Sequence, residues 1–140
     1  MVDEMIRYGT MEDLGLLGRY DTHISEEELR NAVDQKRVLI MYAGQRFVGW
    51  LRYHLFWDQI PFLSMVYFLE GERRKGYGRS LVEFWEGEMR GRKYDRVLTS
   101  TLSSEEAQHF YRNMGYVDCG SLLLPGEPLE IILQKELVGR

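Results

Sequence analysis

The sequence has one cysteine, Cys119, among 140 residues. No internal disulfide can form, and a reducing cytoplasm suits the chain. No apolar run approaches the ~18 residues of a membrane span; the longest core-like stretch is Val38 to Ala43. The first twenty residues carry Asp3, Glu4, Arg7, Glu12, Asp13 and Arg19, which argues against a secretory leader. No internal repeat, low-complexity segment or linker is visible. No His, Cys and Asp cluster has metal-ligand spacing, so no metal is expected. Collagen-like, coiled-coil, transmembrane and disulfide-scaffold classes are excluded.

Basic charge is in deficit. Eighteen Lys and Arg stand against 22 Asp and Glu, a net charge of −4, which argues against non-specific nucleic-acid binding. What remains, 44% hydrophobic and 29% charged residues, is ordinary for a globular chain. At this length one domain with its own core, spanning residues 1–140, is expected. The charge is uneven. Residues 1–35 hold 9 acids and 3 bases, whereas residues 73–96 hold 4 acids and 8 bases. A short cationic patch in an acidic protein suits a small anionic ligand better than a long polyanion.

The pattern of elements reads as a mixed sheet with helices, of the α/β or α+β class. Residues 2–8 form a short strand, and Thr10 starts a helix over Met11 to Tyr20. Ser25 with Glu28 three residues on is a capping box opening a second helix. Val38 to Ala43, the turn Gly44-Gln45 and Phe47 to Phe56 form a hairpin of the II′ type. In its second strand Trp50, Arg52 and His54 share one face and Gly49, Leu51 and Tyr53 the other. Phe62 to Leu69 is near-continuously apolar, the mark of a central strand buried on both faces. A helix over Arg79 to Arg90 buries Leu81, Val82, Trp85 and Met89. Arg96 to Ser100 is a strand. Ser103 with Glu106 is a second capping box, for a helix burying Ala107, Phe110, Tyr111 and Met114 and ending at Gly115. Tyr116 to Leu124 and Leu129 to Leu133 are the last strands.

The chemistry sits in Arg73-Arg74-Lys75-Gly76-Tyr77-Gly78-Arg79, between an apolar strand and a helix. Its glycines let the backbone turn tightly. The first N–H groups of the helix are unpaired and, with four basic side chains, make an anion cradle of pyrophosphate size. It is not a P-loop, because Gly78 precedes Arg79 rather than a Lys and a Ser or Thr. Nor is it a dinucleotide fingerprint, because Leu81 stands where the third glycine belongs.

A second constellation follows, Ala107-x-x-Phe110-Tyr111-x-x-x-Gly115-Tyr116. The two together resemble the GNAT superfamily of acyl-CoA-dependent N-acetyltransferases. That resemblance implies a largely antiparallel mixed sheet of six to seven strands flanked by about four helices. It also implies an acyltransferase using acetyl-CoA as cosubstrate. On these positions, Arg73, Arg74, Lys75, Gly76, Tyr77, Gly78 and Arg79 would hold the CoA pyrophosphate. The backbone of Phe68, Leu69 and Glu70 would pair with the pantetheine arm, one N–H polarising the thioester carbonyl. Tyr111 would protonate the departing thiolate. Two positions depart from the family pattern: Ser104 stands where Asn is usual, and Glu70 where Pro is usual. Ser104 can hydrogen-bond CoA or cap the helix, and Glu70 can act as the base.

The acceptor is expected to be an amine, which is mostly protonated at pH 7 and needs a base. Glu70, Glu72, His54 and Asp58 are the candidates. Asp21, Glu26, Glu27 and Glu28 in the acidic first segment favour a small cationic amine, or a peptide amine. A non-catalytic CoA-binding domain of the same fold is the competing reading. No nucleic acid or membrane is expected as a partner, and the chain would act as a monomer or homodimer.

Overall fold

The computed structural model describes residues 3–137. The elements run β1 (Glu4–Tyr8), a 3-10 turn (Met11–Asp13), α1 (Leu14–Tyr20), α2 (Glu26–Asp34), β2 (Val38–Ala43), β3 (Arg46–Phe56), β4 (Ile60–Phe68), α3 (Tyr77–Gly91), β5 (Arg96–Leu102), α4 (Ala107–Asn113), β6 (Val117–Leu122) and β7 (Glu130–Glu136). The seven strands form a sheet in the order β1-β2-β3-β4-β5-β7-β6. Pairing is antiparallel at β1–β2, β2–β3, β5–β7 and β6–β7, and parallel at β4–β5. The mixed, largely antiparallel sheet with four helices is the expected architecture. Val2 lies outside the described residues.

Two compact units divide the chain. The first holds the residues up to His54 with Met65–Trp85; the second holds Leu55–Ser64 with the residues from Glu86 on.

In the first unit the alternation of β3 sorts its side chains as expected. Trp50 joins Leu17, Leu29, Val33, Val38 and Ile40 in a core under α1 and α2. Tyr53, on the other face, meets Trp85 of α3 at 5.7 Å between ring centroids. Of the α3 stripe, Leu81, Val82 and Trp85 are fully buried here, and Met89 is fully buried in the second unit. Ser25 caps α2 by accepting the N–H of Glu28 at 3.1 Å. Gly44 has φ of 64° and Gln45 does not follow it, as the expected turn requires. Two acids of this segment are bound internally. The Asp13 carboxylate accepts Arg7 at 2.8 and 2.9 Å and the Thr10 N–H at 2.7 Å. Asp21, fully buried at its side chain, accepts Arg52 at 2.8 and 3.2 Å.

In the second unit α4 ends in a Schellman motif. The Gly115 N–H bonds Arg112 O and the Tyr116 N–H bonds Tyr111 O, both at 3.0 Å, with Gly115 at φ of 96°. Glu86 is buried and held by charge-assisted bonds: the Tyr116 hydroxyl donates to it at 2.7 Å and Lys135 at 3.0 Å.

Three expectations fail here. β4 is central in order, yet only Pro61 and Leu63 are buried, while Ser64 and Tyr67 are exposed. Its apolarity does not signal two-sided cover: Pro61 and Leu63 share the covered face, whereas Phe62 and Ser64 share the other, which is open at a groove lined by Phe62. The Ser103–Glu106 capping box does not form. Glu106 is itself the N-cap of α4; the Ser103 N–H goes to Leu129 O, and the Gln108 amide holds the Ser103 and Glu105 carbonyls. With the helix starting only at Ala107, that residue is exposed and Phe110 is half-buried, while Tyr111 and Met114 stay in the core.

Candidate functional site

The candidate residues divide between the two units. Phe68, Leu69, Glu70, Arg73, Arg74, Lys75, Gly76, Tyr77, Gly78 and Arg79 belong to the first; Ser104 and Tyr111 belong to the second.

In the first unit the end of β4 is seated by Gly49 on β3. A Cβ there would lie 2.4 Å from Phe68 Cδ1 and 2.5 Å from Tyr67 O, so only glycine allows the two backbones to approach this closely. The Leu69 N–H then donates to Val48 O at 2.9 Å. That N–H is committed to the sheet. Adjacent residues of a strand direct their amides to opposite sides, so the N–H and C=O of Phe68 face away from β3. The Phe68 carbonyl accepts Arg73 Nε at 2.9 Å, and the Arg73 guanidinium stacks over Tyr67 at 5.0 Å. Arg73 is therefore folded back onto β4.

The loop between Leu69 and α3 takes its shape from left-handed residues: Gly71 at φ 92°, Arg74 at 63° and Gly76 at 82°. Glu72 pins it. Its carboxylate accepts Arg46 in a bidentate pair at 3.1 Å, and Lys75 at 3.3 Å. The Arg46 bond holds the Glu72 carboxyl below its ordinary pKa, so Glu72 is a poor base. Helix α3 begins at Tyr77, two residues earlier than expected, and its first closing bond is Ser80 N–H to Gly76 O at 3.2 Å. The N–H groups of Tyr77, Gly78 and Arg79 have no helical carbonyl before them. The Tyr77 side chain is buried, 6.3 Å from the Phe68 ring, so only its backbone is offered. Arg74, Lys75 and Arg79 are exposed, Arg79 in a 3.4 Å pair with Glu83.

The other base candidates are dispersed. Glu70 is exposed in the turn after β4. Asp58 sits in the turn that opens β4, at φ of 61°. His54 lies on β3 and has its pKa lowered, by burial first and then by Arg37 and Arg52. Beside α1 and α2 a cavity of about 420 Å³ is lined by Leu14, Gly18, Asp21, Ile24 and Glu26 among others. Asp21 is spent on Arg52 there, while Glu27 and Glu28 are exposed on α2.

In the second unit Tyr111 is 6% exposed. Its ring packs edge-on against Tyr116 at 5.3 Å and Phe110 at 5.1 Å. Burial pushes its pKa up to about 12, although a hydrogen bond with Thr99 opposes the rise. The Thr99 hydroxyl also donates to Leu63 O at 3.1 Å. Leu63 and Thr99 are the last registered pair of β4 and β5, so the phenol is tied to the point where that pairing stops. Ser104 is exposed in the turn before α4 and does not cap it. Among the described residues no group of three or more His, Cys, Asp or Glu could hold a metal, and no helix is long and apolar enough to cross a membrane.

Gly49, Thr99 and the Arg46–Glu72 pair were not marked by the sequence. Gly49 carried a signal, a glycine inside a strand, which often marks close backbone approach. The other contacts join residues 26 to 36 positions apart, beyond any local pattern.

Residues 8–116 match the acetyltransferase (GNAT) family. No curated protein sequence matches significantly. Solved structures share the fold. The ribosomal-protein-S18-alanine N-acetyltransferase from Escherichia coli superposes with a TM-score of 0.81 at 15% identity, covering 99% of this chain and 96% of its own. The ribosomal-protein-alanine N-acetyltransferase from Brucella melitensis gives 0.76 at 24% identity, with 94% and 99% covered. A chain of the NatC complex bound to Gag peptide and CoA gives 0.78 at 14% identity, with 96% and 98% covered. With the loop before α3, the Tyr111 helix and the family match spanning most of the sequence, the chain belongs to the GNAT family of acetyltransferases.

Proposed function

We propose that the chain moves an acetyl group from acetyl-CoA to a primary amine, by direct attack of the amine on the thioester. The observation that carries this reading is the start of α3. Three N–H groups with no helical carbonyl before them, left-handed Arg74 and Gly76, and exposed Arg74, Lys75 and Arg79 fit a pyrophosphate. In this role Gly76, Tyr77, Gly78 and Arg79 act through their backbone, and Arg74, Lys75 and Arg79 through charge.

The Phe68 N–H, facing away from β3, is the donor best suited to the thioester carbonyl, where it stabilises the negative charge that builds on oxygen. The amine gives up a proton as it attacks. The C–S bond then breaks, and the sulfur takes a proton from Tyr111. A phenol at about 12 is a weak donor to a thiolate whose ordinary pKa is ~8.5. Tyr111 thus acts late, first as a hydrogen-bond donor to sulfur and only then as a proton source. Glu70 is the base of choice, since Glu72 is held by Arg46 and Lys75. Ser104 hydrogen-bonds the CoA. The cavity beside α1 and α2, with Glu26 on its wall and Glu27 and Glu28 nearby in sequence, suits a small cationic amine.

The test is thiol release from acetyl-CoA against a panel of polyamines, aminoglycosides and peptide amines, beside a thermal melt with acetyl-CoA. Ligand at 100 times Kd should add about 2.7 kcal/mol of stability. A shift with turnover supports the enzyme, and the preferred amine names its class. A shift without turnover on any amine would leave a CoA-binding domain. No shift at all in the folded protein would overturn the reading.

A further inference from the structure

A second groove, of about 370 Å³, lies wholly within the second unit. None of the residues given a role above lines it. The strand register accounts for its floor. Phe62 stands opposite Leu98, Gln134 stands opposite Leu98 on the other side, and Arg96 precedes Leu98 by two residues. All four side chains share one face of the sheet. Phe56 and Trp57, from the end of β3 and its turn, form the wall, with centroids 4.7 Å apart and Phe56 6.1 Å from Phe62.

Three observations point to an occupant. Trp57 is 74% exposed, on the hairpin turn that the Gln59 N–H and Phe56 O close at 3.0 Å, with Trp57 and Asp58 as its two left-handed residues. The Oε1 atom of Gln134 is buried without a hydrogen-bond partner, and a buried acceptor is normally satisfied. The Arg96 side chain is half exposed and meets Asp95 at 3.9 Å, beyond hydrogen-bond length. The groove thus offers an aromatic slot, one acceptor in want of a donor, and one cation, Arg96, whose cross-strand neighbour on β7 is Glu136. Its volume lies at the small end of the ligand-pocket range, ~300–1,000 Å³, the size of a one- or two-ring molecule.

We propose that this groove binds a small planar arylcarboxylate bearing a ring N–H. The ring lies against Phe56 and Phe62, the N–H donates to Gln134 Oε1, and the carboxylate pairs with Arg96. The proposal stands apart from acetyl transfer and is tested without it.

Indole-3-acetate and 1-naphthaleneacetate, which lacks the N–H, are titrated into the full chain and followed by calorimetry. The expected result is saturable one-to-one binding, with indole-3-acetate favoured roughly five-fold, the worth of one hydrogen bond. Gln134→Leu should erase that preference by weakening indole-3-acetate alone. Arg96→Gln should weaken both acids to the same degree. Gly120→Leu should abolish binding in a folded protein, because a Cβ at this lining position meets nothing within 4 Å and the side chain enters the groove. Absence of saturable binding at millimolar ligand, or an indole preference that survives Gln134→Leu, overturns the proposal. So does a wild-type dimer in sedimentation that Gly120→Leu dissociates, which would give the groove to a second copy.

Discussion

Arg73 should oppose acetyl-CoA binding, although it belongs to the basic loop that draws the ligand in. Its Nε donates to the Phe68 carbonyl at 2.9 Å, and its guanidinium lies 5.0 Å from the centre of the Tyr67 ring. A ligand strand pairing along the outward edge of β4 needs that carbonyl, so Arg73 must leave first. An exposed charge-assisted bond contributes about 1 kcal/mol net, and an exposed cation–π contact about 0.5–1 kcal/mol. Releasing both costs about 1.5–2 kcal/mol, or roughly 10- to 30-fold in affinity. Once released, Arg73 would add one charge to the proposed pyrophosphate site of Arg74, Lys75 and Arg79, an exposed contribution of about 0.5–1 kcal/mol. The balance predicts that Arg73→Ala tightens acetyl-CoA binding by roughly three- to ten-fold in calorimetry, while Arg74→Ala and Arg79→Ala weaken it. Tyr67→Leu, which removes only the stacking, should tighten binding by a smaller factor. If Arg73→Ala weakens binding to the same extent as Arg74→Ala, Arg73 is an ordinary phosphate ligand and the folded-back contact carries no weight.

Gly49→Ala should destabilise the fold by about 2 kcal/mol, because a backbone oxygen 2.5 Å away cannot swing aside; a drop in Tm of about 8 °C is expected, and an unchanged Tm would mean the β3–β4 approach is looser than described. Tyr111→Phe should lower kcat by about 10²-fold at unchanged acetyl-CoA Kd. Since the donor form of Tyr111 is the neutral phenol and its pKa is raised to about 12, the wild-type kcat should show no Tyr111 limb below pH 11. A basic limb near pH 9 that Tyr111→Phe removes would show a phenol far more acidic than its burial implies. The Asp13 carboxyl, lowered to about 2 chiefly by Arg7, gives stability that is complete above pH 4 and lost as the pH falls through 2, at most about 2 kcal/mol. In Arg7→Ala, urea melts between pH 5 and 2.5 should lose this dependence.

The loop was legible because its signals are local. Glycines, four basic side chains and a strand-to-helix change fall within a dozen residues, and each has a direct physical meaning. Helix α4 was half legible. Its spacing identified Tyr111 and Gly115, and the Schellman turn followed, but the start of the helix was misplaced. Ser103 and Glu106 fit a capping box in sequence, and the Ser103 N–H was instead taken by Leu129 across the β6–β7 connection. The same limit governs β4. Its apolar run suggests two-sided burial, yet cover depends on what packs on each face, and the face of Phe62 and Ser64 is left open.

Charge shows the limit most plainly. By counting, the nine acids of residues 1–35 are equivalent. In the fold they are not: Asp13 and Asp21 are buried against Arg7 and Arg52, and each pair is closer to neutral than to a recognition surface. Glu26 reaches only a 3.9 Å contact with Arg30, at a site where both side chains are exposed, and such a pair is worth little. On the proposed function, the acids placed at the cavity beside α1 and α2 are Glu26 on its wall, with Glu27 and Glu28 next in the first turn of α2. Replacing these three with Gln should raise KM for a cationic amine by several-fold and leave a neutral amine unaffected. The same change at Asp21 should instead lower the Tm, because it strands the Arg52 guanidinium, whose side chain is 11% exposed.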